Sequence, residues 1–459
     1  MQKADKFKNG LGLLHYPAID TQVFIVGLIA KTGLIYENSL VKPGILYLIE
    51  RLLYSGTDKY SSNRQISLML ESLGGRLHTV TGQETFQIYL EVPYYNQFKA
   101  ISFLANLIQY SNFDNSDIES QKQYLKNWLV SKQNSNNLET EGSEIQLRSF
   151  YLGNRYNEIN STITLDSLLN ITRAEITDYY SRQFSPENCH LVLSGKYDDT
   201  ELDRIVEQEW GFWNPKTRYT LDIRNEREDI AIALPNVDFR QRGQMHTEIN
   251  FGFLIDNNPQ DRFLNPETRE QLNGKELELA VQEYIIDVAR LMILNNVLGQ
   301  GISSKLWTKG VDETMYFYQI SSDVSVLKNC NYLEISGILE HNMFTFGLES
   351  VLMTLKDLTR DTIAINEILK AKEVIKSKFI LSHENLLNKT LWQVDNYLLT
   401  GMNLELDELI KVIQKVGANE IRTLADNIFR QNKLQLVILG TAKETRTVKN
   451  LIEKYLRQL

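Results

Sequence analysis

The sequence predicts an α+β chain of two homologous halves, and three observations carry that prediction. The stretch 171–195, ITRAEITDYYSRQFSPENCHLVLSG, matches 416–440, VGANEIRTLADNIFRQNKLQLVILG, at a constant offset of 245. Glu175/Glu420, Ile176/Ile421, Phe184/Phe429, Leu191/Leu436, Val192/Val437, Leu193/Ile438 and Gly195/Gly440 coincide. Each copy reads as a helix followed by an apolar strand, so one unit is used twice. Between the copies, residues 214–229 (NPKTRYTLDIRNERED) are charged, carry Pro215 and lack apolar periodicity. Such a stretch suits a solvated linker between domains at 1–213 and 230–459. Finally, strand-like apolar runs and helical periodicity interleave along both halves, the mark of a mixed α and β chain.

Composition bounds the function classes. At 459 residues and 42% hydrophobic, the chain affords a sizeable core. A net charge of −9 argues against nucleic acid or an anionic membrane as partner. No apolar run reaches the roughly 18 residues of a membrane-spanning helix. The N-terminus, MQKADKFKNGLGLLHYP, has no long apolar core, so no secretory signal is read. The expected location is cytoplasmic, or periplasmic if a signal has been removed. Cys189 and Cys330 sit in apolar, strand-like contexts and read as buried free thiols of a reducing compartment. His15, His78, His190, His246, His341 and His383 form no paired ligand motif.

Taken in order, residues 22–33, around VFIVGLIA, read as a buried strand ending at Gly33. Pro43–Thr57 (PGILYLIERLLYSGT) reads as an amphipathic helix. Ile45, Leu46, Leu48, Ile49, Leu52 and Leu53 supply its apolar face, Pro43 its first turn, and Ser55-Gly56 its stop. Tyr47, Glu50, Arg51 and Tyr54 share the other face. Residues four apart on a helix meet on one side, the spacing by which two histidines hold a metal. A second helix spans Asn63–Leu73, closed by Gly74-Gly75. Residues 76–81 and 85–92 alternate as two strands around Gly82-Gln83-Glu84. Residues 95–132 and 144–152 read as helical, joined by an Asn-rich link at 132–141. After the first repeat copy and the linker come a strand at His246–Leu254 and a long polar loop at 256–273 with Pro259 and Pro266. A helix at Ile285–Leu298 then runs into Gly299-Gln300-Gly301-Ile302-Ser303-Ser304-Lys305-Leu306-Trp307. A phosphate loop is excluded by the lack of a following Gly-Lys-Ser/Thr and of a βαβ context.

The frame Gly44-x-x-Tyr47-x-x-Glu50-Arg51-x-x-Tyr54-x-Gly56-Thr57 resembles the inverted zinc motif, HxxEH, of the insulinase-like (M16) metallopeptidases. Tyr47 and Arg51 stand where that family has its two zinc-binding histidines. The family's third ligand, a Glu on a later helix, lines up with Lys126, Asn127 or Trp128, none of them an acid. Zinc in such a site takes neutral imidazoles and a carboxylate. A neutral phenol is a poor ligand, and a guanidinium has no lone pair to give. Glu50 matches the general base of the family, but a base without metal-bound water has nothing to activate. Its expected partner is Arg51 or another neighbour. The segment LGGRLHTVTGQETFQIY resembles the family pattern in which the strand at 76–81 is a sheet edge that an extended substrate peptide joins.

Residues 298–307 resemble the family's second-half glycine loop, L-G-G-G-x-S-S-R-L-F. Two glycines there allow φ > 0 and close backbone approach. Downstream, the family carries an Arg and a Tyr seven apart that help hold substrate. Val311 falls at the Arg position, Met315 at an intervening Gly, and Tyr318 at the Tyr. The resemblance implies an M16-like fold, with two homologous halves that are each a mixed β-sheet with helices packed mainly on one face. It implies substrate contacts at Gly299, Gln300, Gly301, Ser303 and Tyr318, and no metal or other cofactor in this chain. The function implied is that of a non-catalytic, substrate-holding subunit of a heterodimeric zinc peptidase. A partner chain with an intact HxxEH would supply the zinc and the chemistry. The alternative is a structural scaffold subunit, as in M16-like core proteins. Limited proteolysis is expected to cut first within 214–229. First cuts inside Pro43–Thr57 or Ile171–Gly195 would place the boundary elsewhere.

Overall fold

A computed structural model describes residues 5–34, 37, 42–134, 150, 163–197, 199–214, 236–241, 246–255, 274–327, 331–440 and 445–456. The chain divides into two compact units. The first holds Met1–Asn134, Asn157–Glu228 and Glu384–Val394, and the second the rest. The linker beyond Asn214, the loop at 256–273, Cys330, and 144–152 apart from Phe150 lie outside the described residues.

In the first unit the elements are β1 (Asp5–Lys6), β2 (Gly12–Pro17), β3 (Val23–Ala30), α1 (Ile45–Leu52), α2 (Asn63–Ser72), β4 (Arg76–Thr81), β5 (Phe86–Pro93), α3 (Gln97–Gln109), α4 (Asn115–Asn134), α5 (Leu165–Leu169), α6 (Arg173–Gln183), β6 (Cys189–Gly195) and α7 (Asp199–Trp210). Its six strands run in the order β1-β2-β6-β3-β5-β4. The β2–β6 pair is parallel and the others are antiparallel, so the sheet is mixed. Phe24, Val26, Leu28 and Ala30 on one face of β3 join one core with the apolar faces of α1, α3 and α6. The opposite face of the sheet takes the start of a later helix, where Thr390 and Ser194 hydroxyls meet at 2.7 Å.

The second unit contains β7 (Asn236–Gln241), β8 (His246–Ile255), α8 (Gly274–Gly299), α9 (Lys305–Trp307), β9 (Phe317–Val326), β10 (Asn331–Glu340), α10 (Phe344–Arg360), α11 (Ile365–His383), α13 (Leu406–Lys415), α14 (Ala418–Ile428), β11 (Leu434–Gly440) and α15 (Thr445–Tyr455). Helix α12 (Leu386–Thr400) begins with the first unit's residues. The sheet order is β7-β11-β8-β10-β9, with β7–β11 parallel.

The duplication read in the sequence is realised element for element. Shifting Arg173–Gln183 and Cys189–Gly195 by the repeat offset lands on Ala418–Ile428 and Leu434–Gly440. Each strand is wholly buried, with a parallel neighbour on one side and an antiparallel one on the other. Each helix opens under a Glu three residues in. Glu175 accepts from Thr172 N at 2.7 Å, and Glu420 from Gly417 N at 2.8 Å.

Element limits differ from the sequence reading where local chemistry intervenes. Gly44 takes φ 99°, a left-handed turn open to glycine, so the helix begins at Ile45 and Pro43 stays outside. Glu37 caps it from a distance, its carboxylate accepting from Gly44 N and Leu46 N at 2.9 Å each. The helical stretch 95–132 is two helices, α3 and α4, broken around residues 110–114. Helix α8 starts at Gly274, well before Ile285. Cys189 is a buried free thiol, as read. Among the described residues no helix is long and apolar enough to cross a membrane.

His190, in β6, lies within the first sheet, and burial, with the charges of Lys31 and Lys6, pulls its pKa from 6.5 to about 3. A base whose pKa falls on folding favours the unfolded chain once that chain protonates. Stability should therefore drop as pH falls from 6.5 towards about 3, with a slope from this residue of at most about 1.4 kcal/mol per pH unit. Denaturant unfolding across that range should show a flatter profile for His190→Leu than for the wild type.

Candidate functional site

Helix α1 sets the first candidate site. Ile45, Leu46, Leu48, Ile49 and Leu52 are 0–1% exposed, which pins that face to the core. At 3.6 residues per turn, Tyr47, Glu50, Arg51 and Tyr54 are left on the other side. All four are partly buried. Two neighbouring elements receive them, strand β4 and helix α4.

Glu50 turns to β4. Thr79 Oγ1 donates to its Oε1 at 2.6 Å, and Thr81 Oγ1 donates to Oε2 at 2.5 Å. The partner of Glu50 is thus a pair of strand hydroxyls, not Arg51. Thr79 and Thr81 are two apart, so both point to the face that α1 covers. Burial raises the Tyr54 phenol above its usual range, against the pull of a Thr79 hydrogen bond, so it stays neutral.

Arg51 turns to α4. Its Nε donates to Gln121 Oε1 at 2.7 Å, and its guanidinium carbon lies 3.5 Å from the centre of the Tyr124 ring. One turn back on α1, the Tyr47 ring packs on Trp128, centroids 5.9 Å apart. Gln121, Tyr124 and Trp128 are spaced as one face of α4. Of the positions that align with the family's zinc ligands, Tyr47 and Trp128 do meet in space, and Arg51 turns to the same helix one turn earlier. What meets is a guanidinium on an aromatic ring and two packed aromatic rings. Neither Tyr47 nor Arg51 presents a lone pair suited to zinc, and Trp128 presents none. Among the described residues no three His, Cys, Asp or Glu side chains gather to hold a metal. The site does not fit zinc.

Strand β4 ends the first sheet, paired with β5 alone among the described strands. This is the edge expected from the sequence. It runs directly beside the α1 face, joined to it by the Glu50–threonine bonds.

The second candidate site lies where α8 meets β9, the terminal strand of the second sheet. A Cβ on Gly299 would fall 2.4 Å from Ser322 Oγ and 2.5 Å from Ser322 N, so glycine is required for this close approach. Gly301 takes φ 87° with open space around it, so its requirement is conformational. The Gln300 side chain does not stand free: its Nε2 donates to Ser322 O at 2.7 Å. Ser303 is exposed and accepts from Lys370 Nζ at 2.7 Å on its carbonyl and 3.1 Å on its hydroxyl.

Tyr318, the second residue of this edge strand, is 53% exposed, so it is not a core aromatic. Its hydroxyl donates to Glu340 Oε1 at 2.9 Å, and its ring stands edge-on to His246. The Glu340 bond is the chief cause holding its phenol pKa up. Val311 sits in a π-helical turn, Thr308–Glu313. Met315 holds φ 54° and is 82% exposed. A non-glycine residue in this left-handed conformation costs about 1–2 kcal/mol.

Sequence reasoning missed the receiving residues: Gln121 and Tyr124 for Arg51, Thr79 and Thr81 for Glu50, and Glu340 for Tyr318. The signal that held two of them was the spacing of Gln121, Tyr124 and Trp128 on α4. It matches the one-turn spacing of Tyr47 and Arg51.

The comparisons with known proteins agree with this geometry. The family model described as insulinase (peptidase family M16) matches residues 18–152, and the one described as the peptidase M16 inactive domain matches 170–375. The chain is 23% identical over 429 residues to the uncharacterized zinc protease YmxG of Bacillus subtilis, covering 93% of this chain and 95% of that one. It is 21% identical over 464 residues to the mitochondrial-processing peptidase subunit beta of Saccharomyces cerevisiae, covering 98% and 94%. Among solved structures, the fold matches a peptidase M16 inactive domain from Pseudomonas fluorescens with a TM-score of 0.76 at 15% identity, over 96% of this chain and 98% of that one. A protease from Helicobacter pylori matches with a TM-score of 0.74 at 16% identity, over 96% and 99%. Two successive family models that between them span more than half the chain, and a duplicated mixed-sheet fold, assign this protein to the M16 (insulinase) peptidase family.

Proposed function

We propose that this chain is a non-catalytic, peptide-holding subunit of a heterodimeric M16 zinc peptidase. An HxxEH-bearing partner chain supplies the zinc and the hydrolysis, and this chain carries no cofactor. The observation behind this reading is that Arg51, bonded to Gln121 and stacked on Tyr124, stands in a zinc-ligand position while β4 remains a terminal strand. Backbone pairing to a strand edge depends little on side chains, so peptide binding survives the loss of the metal. The buried free thiol of Cys189 supports a reducing, cytoplasmic compartment. In the second half, Gly299, Gln300, Gly301, Ser303 and Tyr318 form the face offered to the peptide.

A structural scaffold is the second reading. It is favoured by Tyr318 and Gln300, whose polar groups are already committed to Glu340 and Ser322.

The purified chain should hold well under one zinc per molecule by metal analysis and cleave no peptide by itself. One chelatable zinc per chain, with chelator-sensitive cleavage, would refute the proposal. Tyr47→His with Arg51→His should not restore zinc binding, because the aligned positions 126–128 of α4 carry no acid. Of the aligned positions 126–128, Trp128 is the residue seen against Tyr47, so adding Trp128→Glu should raise zinc affinity well above that of the double variant. Isothermal titration of the two variants compares them directly.

The two readings divide on Tyr318→Phe. In the heterodimer, a peptide contact through this hydroxyl predicts a fall of about 2- to 12-fold in kcat/KM, from a neutral hydrogen bond of roughly 0.5–1.5 kcal/mol. Unchanged kinetics in a normally assembled complex would favour the scaffold.

A further inference from the structure

On the outer face of α1, both oxygens of Glu50 are engaged by β4, while most donors of Arg51 are not engaged. Both Glu50 oxygens accept from threonine hydroxyls of β4. Arg51 uses Nε on the neutral amide of Gln121 and one ring face on Tyr124. No carboxylate pairs with it among the described residues. A guanidinium carries five donors in a rigid fork, and its terminal nitrogens suit bidentate recognition of a carboxylate. Stacking and the Gln121 bond hold that fork in place, which lowers the entropy lost when it binds.

Strand β4 is bonded to the same helix face one residue away, through Glu50. A peptide added to β4 would run about 4.8 Å beyond it, with alternate side chains on the α1 side. Those side chains would pass over the face that carries Arg51.

Resting on the peptide-holding reading, we infer that Arg51 makes this site selective for peptides bearing a carboxylate, with the guanidinium and the β4 edge together forming the subsite. The carboxylate comes from an Asp or Glu side chain or from the free C-terminus of the peptide, since both present the same two oxygens. The cation that replaces a zinc-ligand position thus binds an anion where a catalytic relative would hold its metal. Glu50 keeps its charge, but both of its oxygens accept from Thr79 and Thr81 and neither bonds Arg51, so the guanidinium fork is not paired with it.

The test uses the full-length chain, alone and assembled with an HxxEH partner whose motif Glu is changed to Gln. Fluorescence anisotropy would follow labelled peptides of alternating Val and Ser in four forms. These are a central Glu with an amidated end, a central Gln with a free C-terminus, a central Gln with an amidated end, and a central Lys with an amidated end. The inference expects one carboxylate-bearing form to bind about tenfold more tightly than the neutral amide, and which form does so identifies the source. Lys should bind no better than the neutral form. Arg51→Gln should bring the preferred peptide down to the neutral level while leaving the neutral peptide unchanged, and Arg51→Lys should recover part of the difference. Thermal melts of each variant report folding separately, and the wild-type comparison needs no variant at all. Equal binding of all four peptides, or tighter binding of Lys, overturns the inference and leaves the peptide-holding reading standing. No binding of any form, alone or in the assembled pair, overturns both.

Discussion

The first candidate site depends on one constraint, that α1 must bury five aliphatic side chains against the sheet. Ile45, Leu46, Leu48, Ile49 and Leu52 are essentially inaccessible, and each such burial is worth about 1.5–3 kcal/mol. No rotation of the helix preserves that face and also hides Tyr47, Glu50 or Arg51. The position of these residues between β4 and α4 is therefore a consequence of core packing, whatever their identities. Glu37 adds to it by capping the helix start with a buried carboxylate.

What replaces the metal is itself cohesive. The guanidinium over Tyr124 and the Tyr47–Trp128 contact tie α1 to α4, the two helices from which a family member would draw its ligands. A cation–π contact of this partly buried kind contributes on the order of 0.5–2 kcal/mol. The tie is modest in energy, but it fixes the direction of the remaining Arg51 donors. The guanidinium is thereby held in one orientation, on a helix that Glu50 bonds to the terminal strand β4.

The second half shows the other outcome of drift. There the polar side chains are bonded to neighbours within this chain. Gly299 still permits close approach to β9, and Met315 still holds a left-handed turn without glycine's freedom. Yet Gln300 is bonded to Ser322 and Tyr318 to Glu340. Backbone shape outlasts side-chain chemistry because shape is enforced by the surrounding core, whereas a surface hydroxyl needs only one neighbouring carboxylate to change its role.

Much of this was legible in the sequence, because local periodicity and repeated patterns report on burial directly. The repeat at 171–195 and 416–440 determined the duplication, since a helix and a buried strand must keep their apolar spacing to fold twice. The spacing of Tyr47, Glu50 and Arg51, and the residues at 126–128, determined which side chains stand at the positions aligned with the family's zinc ligands. The sequence could not say who receives these side chains, because hydrogen-bond partners 29 to 70 residues away are chosen only when the chain is packed. Tertiary structure alone assigned Glu50 to the two threonines of β4 and Arg51 to Gln121 and Tyr124. It also left the guanidinium without a carboxylate partner among the described residues, a matter of distance and orientation that no spacing along the chain encodes.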